Sequence, residues 1–176
     1  VTARSQSKSG RPEFKPISEE QAKAYEHCCK NDIVFLSGPA GCSKTFTAIA
    51  YAIDHLLKDE ERQLILTRPA VEACGEELGA LPGGVAEKMQ PFMHPLTDTI
   101  REYAGETRIQ YSVVAMAHLR GRTIKNTILV VDEAQNASWR QLKLLLTRIG
   151  NGSKIILCGD GDQSDIRDSG LMAAAE

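Results

Sequence analysis

Short apolar runs and helical stripes alternate along this chain, and their order predicts its elements. Helical spacing begins at Ser18, where Ser18 and Gln21 have capping-box spacing and Ala22, Tyr25 and Cys29 share one face. Asn31-Asp32 ends that segment. Ile33-Val34-Phe35-Leu36 is continuously apolar, as a parallel strand covered on both faces must be. After a Gly-rich turn, Phe46 to Leu57 is apolar nearly all round, which predicts a helix packed inside the domain. A charged turn, Lys58 to Arg62, leads into a second buried strand, Leu64-Ile65-Leu66.

From Pro69 to Gly105 the pattern is less regular. Pro82-Gly83-Gly84 reads as a loop. Val85, Met89 and Phe92, then Leu96, Ile100 and Tyr103, have helical spacing, with a break or kink expected at Pro91 and Pro95. Ile109-Tyr111-Val113 alternates like a strand, and Thr127 to Val131 is a further β-rich run. Ser138 and Gln141 repeat the capping-box spacing. Leu142, Leu145, Leu146 and Ile149 then form a core stripe closed by Gly150. Ile155-Ile156-Leu157-Cys158 is the last strand. Strands alternating with helices predict an α/β fold with a mostly parallel sheet and helices on both faces.

The length, 176 residues, suits one buried domain, expected over 17–176 behind a flexible tail over 1–16. The tail is Ser-rich and carries Arg4, Lys8 and Arg11; a mobile segment is the simpler reading, a basic arm on RNA or DNA the sharper one. A net charge of -2 gives no global pull toward nucleic acid, so such binding would need a local patch. Five cysteines without a CxxC pair suggest neither a disulfide framework nor a zinc site, and fit a reduced, cytoplasmic setting. No apolar run approaches the ~20 residues of a membrane span.

The strongest chemical signal is Gly38-Pro39-Ala40-Gly41-Cys42-Ser43-Lys44-Thr45, set between a predicted strand and a predicted helix. Small residues let the backbone curl so that successive N–H groups point at phosphate oxygens, and the positive end of the helix adds to the attraction. Lys44 would neutralise the β- and γ-phosphates of ATP, and the Thr45 hydroxyl would complete a Mg2+ shell. Ser43 departs from the pattern, which has Gly before the Lys. With φ > 0 a serine there costs on the order of 1 kcal/mol; ordinary helical backbone is the expectation.

Ile128 to Val131 runs into Asp132-Glu133-Ala134-Gln135, which puts two carboxylates at the C-terminal edge of the sheet, where ligands of open α/β sheets bind. Asp132 would hold Mg2+, and Glu133 would take a proton from, or orient, the attacking water. Gly159-Asp160-Gly161-Asp162-Gln163 ends the last strand; alone it could be a polar turn.

These motifs, in this order, resemble the PhoH family of phosphate-starvation ATPases, whose nucleotide core is similar to that of superfamily 1 helicases. Leu66-Thr67-Arg68-Pro69-Ala70-Val71-Glu72-Ala73, Arg120-Gly121-Arg122-Thr123 and Leu146-Thr147-Arg148-Ile149-Gly150 extend the resemblance from about Gln21 to Gly170. It implies ATP hydrolysis in a RecA-like domain with an additional central strand, a homo-oligomeric ring such as a hexamer, and a role with single-stranded RNA. It also makes Gln163 a γ-phosphate sensor. Gln21 would read the adenine edge, a role compatible with its capping spacing. Arg68, Arg120, Arg122 and Arg148 are candidates for phosphate, RNA or intersubunit contact, against a default of solvated charge. Family members continue past the region resembling Ser169-Gly170-Leu171, so the sequence reads as trimmed, with an arginine that completes a neighbour's site expected beyond Glu176. With no second RecA-like domain, unwinding by a monomer is not expected. The competing reading is a nucleotide-binding regulatory or assembly module with little hydrolysis. A small-molecule kinase would share the phosphate loop but not the two later motifs.

Overall fold

A computed structural model describes residues 11–59, 61–69, 85–119, 121, 123–164, 169–171 and 174. The elements follow the sequence pattern in order. They are α1 (Glu19–Lys30), β1 (Ile33–Ser37), α2 (Lys44–Leu56), β2 (Gln63–Thr67), α3 (Val85–Ala104), β3 (Ser112–Val113), β4 (Thr127–Val131), α4 (Trp139–Leu146) and β5 (Lys154–Gly159). Short 3-10 turns at Met116–Leu119 and Ala134–Asn136 flank β4.

All strand pairs are parallel, in the order β1-β5-β4-β2-β3. The strand leading into the acidic motif, β4, is thus separated from the phosphate-loop strand, β1, by β5. This is the additional-strand order of RecA-like domains. Every residue of β4 and β5 is buried, as continuous apolar runs require. Side-chain alternation divides them between two cores. Ile128, Val130, Ile156 and Cys158 face α1, α2 and α3, while Leu129, Val131, Ile155 and Leu157 face α4 and the 3-10 turns.

Several local expectations need correction. Helix α3 does not break at Pro91 or Pro95, the first of the two outcomes expected there, and runs through both; the lost backbone donors do not outweigh the packing of Met93, Leu96 and Ile100, all nearly fully buried. The strand expected over Ile109–Val113 pairs only at Ser112 and Val113. Helix α4 stops at Leu146 rather than running to Gly150, and Ile149 forms an isolated bridge with Ile124. Ser138 and Gln141 form a full capping box, but at α1 the box is displaced. Ser18 accepts from the Gln21 amide, while the Gln21 side chain accepts from Ile17 rather than from the cap residue. The Ser-rich start, Pro82-Gly83-Gly84, Arg120 and Arg122 lie outside the described residues. Phe14 stacks on Tyr25 at 4.2 Å between ring centroids.

Helix α2, which carries Lys44 and Thr45, is anchored from both sides by one carboxylate. Asp54 accepts from Tyr25 of α1 and from Tyr103 of α3, each at 2.7 Å. Burial first, then the bond to Asp54, pushes both phenols above their ordinary pKa, so they remain donors. Asp54→Ala leaves two part-buried hydroxyls without an acceptor and is expected to lower stability by on the order of 2 kcal/mol. An unchanged denaturation midpoint would show that packing alone holds α2.

Candidate functional site

The phosphate-loop segment turns back over the end of the sheet, and its backbone explains how. Gly41 has φ 79°, a conformation open to glycine, and Ser43 has φ 63° and ψ 24°. Ser43 is therefore left-handed, not the ordinary helical residue expected, and it makes no side-chain cap bond. Its carbonyl instead receives Thr47 twice, through the amide and through the hydroxyl, each at 2.9 Å. The turn is held from below by the Gly38 amide, which donates to Gly159 at the end of β5 at 3.3 Å. Lys44 Nζ donates to the carbonyls of Gly38 at 2.7 Å and Pro39 at 2.8 Å, so the ammonium lies folded against its own loop.

A cavity of 380 Å³ opens above this turn. Ala40, Gly41, Ser43, Lys44, Thr45 and Phe46 line it from the loop side, and Asp132, Glu133, Cys158, Gly159, Asp160 and Gln163 from the strand ends. Gly38, Pro39 and Cys42 belong to the loop without lining the cavity, and Gln21, 6% exposed on α1, is also outside the lining. Gln163 stands exposed at the rim.

Thr45 Oγ1 donates to Asp132 Oδ1 at 2.7 Å, bringing the two nominated metal-binding side chains together. Asp132 is 6% exposed, and burial raises its pKa above the ordinary carboxylate range against the opposing effects of Thr45 and the Arg68 charge. A buried carboxylate beside a hydroxyl is a hard-oxygen pair suited to a hydrated Mg2+. The Cys158 thiol at the cavity floor is pushed well above its ordinary pKa by burial, which leaves it a neutral wall rather than a nucleophile.

Two residues matter here more than the sequence suggested. Arg68 is not a solvated charge. It follows β2, beside β4 in register, and its Nη2 lies 2.9 Å from Glu133 Oε1 and its Nε 3.8 Å from Asp132 Oδ2. Gln135, 2% exposed, joins the acidic motif to the loop after β5. Its Nε2 donates to Glu133 Oε2 at 2.6 Å, and its Oε1 accepts from the Asp160 amide at 3.1 Å. Its backbone carbonyl accepts from Ser164 at 3.1 Å. Gly159 makes this approach feasible: a Cβ there would stand 2.8 Å from Gln135 Oε1. Glu133 itself is left-handed, with φ 51° and ψ 40°, so its carboxylate is aimed by a strained backbone as well as by two neighbours.

The family profile described as PhoH-like protein matches residues 13–176. This chain belongs to the PhoH-like family. It is 46% identical over 155 residues to a PhoH-like protein of Synechocystis, covering 82% of this chain and 47% of that protein. With a PhoH-like protein of Bacillus subtilis it shares 41% over 157 residues, 84% of this chain and 49% of the relative. Protein PhoH of Escherichia coli K12 is 36% identical over 156 residues, 82% of this chain and 44% of that protein. The chain spans about half the length of the curated relatives it matches. Its five parallel strands flanked by helices form an α/β P-loop domain, the fold class of the PhoH family, and no helix among the described residues is long and apolar enough to cross a membrane.

The left-handed serine yields a direct test. Ser43→Gly is expected to raise stability by up to about 1 kcal/mol, the relief of left-handed strain being partly offset by the freer unfolded chain. Ser43→Val should destabilise. Equal denaturation midpoints for the three proteins would mean that Ser43 is not strained.

Proposed function

We propose that this chain binds ATP with Mg2+ and hydrolyses it to ADP and phosphate. The observation that carries the reading is the 2.7 Å bond between Thr45 and Asp132, with Lys44 and Glu133 lining the same cavity. The loop amides and Lys44 hold the β- and γ-phosphates, Lys44 turning from its own carbonyls to phosphate oxygens of greater charge. Thr45 and Asp132 would hold Mg2+ through their oxygens, and the ion when bound supplies charge neutralisation at the phosphates. Glu133 accepts a proton from water as the water oxygen bonds to the γ-phosphorus and the bond to the β–γ bridging oxygen breaks, releasing ADP. Asp160 and Gln163, on the loop that Gln135 ties to Glu133, stand where a change at the γ-phosphate would be felt. Gln21 is assigned to the adenine edge.

A nucleotide-binding module with little hydrolysis is the second reading, and one observation favours it: both Glu133 oxygens already have partners. Action with single-stranded RNA, ring assembly and a cytoplasmic setting rest on the family resemblance and composition.

Lys44→Ala is expected to abolish ATP binding in a calorimetric titration, because backbone donors cannot replace a point charge against the triphosphate. Unchanged affinity would remove Lys44 from the site. Glu133→Gln should keep ATP bound while slowing hydrolysis by roughly 10²–10⁴-fold; turnover equal to that of the unsubstituted chain would mean that Glu133 is not the base.

A further inference from the structure

Glu133 has two side-chain partners where a base waiting for water needs one to orient it. Gln135 takes one oxygen at 2.6 Å, and Arg68 takes the other at 2.9 Å. The two contacts are not equally easy to undo. Gln135 is 2% exposed and receives the Asp160 amide, so moving it would strand a buried N–H. Arg68 lies just past the end of β2, with its side chain 24% exposed, and reaches both carboxylates without lining the cavity itself. Gln135 is the fixed support, and Arg68 is the contact that can give way.

The same guanidinium stands 3.8 Å from Asp132 Oδ2, on the carboxylate whose other oxygen receives Thr45. Arg68 therefore competes for the charge that the Thr45–Asp132 pair offers a cation. A divalent ion and a guanidinium on one carboxylate repel each other, by an amount equivalent to on the order of tenfold in affinity even at the dielectric of water. We propose that Arg68 is a releasable clamp: it pairs with Glu133 and Asp132 in the resting protein and yields when a cation takes Asp132, which frees one Glu133 oxygen for water. The clamp rests on the Mg2+-ATPase reading above. Arg68 is in this account a positioning residue, acting on the reaction through Glu133, and it links metal binding to the readiness of the base.

The test compares the unsubstituted chain with Arg68→Gln and Arg68→Lys. Mg2+ is titrated calorimetrically into each protein saturated with ADP, and single-turnover ATP hydrolysis and thermal melting are measured alongside. Arg68→Gln is expected to bind Mg2+ on the order of tenfold more tightly and to hydrolyse bound ATP severalfold faster, the gain in rate vanishing when Glu133→Gln is added. Arg68→Lys keeps the charge but loses the planar fork, so it should keep the original Mg2+ affinity while gaining in rate; it decides the matter if Arg68→Gln does not fold. Unchanged Mg2+ affinity in a folded Arg68→Gln, or slower hydrolysis in either variant, overturns the clamp. Failure of the unsubstituted chain to bind Mg2+ with ADP in the same titration overturns the ATPase reading, and the clamp with it.

Discussion

Thr45 and Asp132 are 87 residues apart in the chain and meet at 2.7 Å, and the site's geometry depends on that contact. It exists because β5 lies between β1 and β4. The loop leaving β1 has to lean across the end of β5 to reach the end of β4, and the Gly38 amide rests on the Gly159 carbonyl as it does so. The hydroxyl bond in turn makes a nearly buried carboxylate tolerable, since an unpartnered Asp132 would carry its desolvation cost alone.

The supports for this contact radiate outward through both cores. Helix α2 begins at Lys44 and is held at Asp54 by tyrosines from the two helices beside it. Phe46, the next residue after Thr45, lines the cavity and packs edge-on against Tyr103 at 5.7 Å. On the other side Gln135 binds the acidic turn to the loop after β5, so the three motifs form one hydrogen-bonded unit. Such a unit fixes its side chains relative to one another, each rotamer being held by its neighbours.

What was legible in the sequence was short-ranged. Ile128 to Val131 and Ile155 to Cys158 could only be doubly covered strands, and a phosphate loop between a strand and a helix declares its own chemistry. The misses required knowing what lies alongside. Ser43 is left-handed because the loop must close over β5, a constraint absent from its local pattern. Arg68 looked like a surface charge until β2 was set beside β4, with Thr67 opposite Val131 and the Asp132 amide donating to Thr67. Gln135 carries no evident role within its motif, since the partners that tie it to the loop after β5 lie 25 or more residues away. Helix α3 passes both prolines because tertiary burial outweighs a local helix-breaking preference.

The chain spans about half of its curated relatives, so its own capacity for turnover is the central question. The most direct measurement is phosphate release from ATP by the purified chain, with Mg2+ and then with a chelator, followed past one equivalent of protein. Multiple turnovers that stop when Mg2+ is removed are predicted. Stoichiometric ATP binding with Mg2+ but no phosphate released would contradict the proposal that this chain hydrolyses ATP.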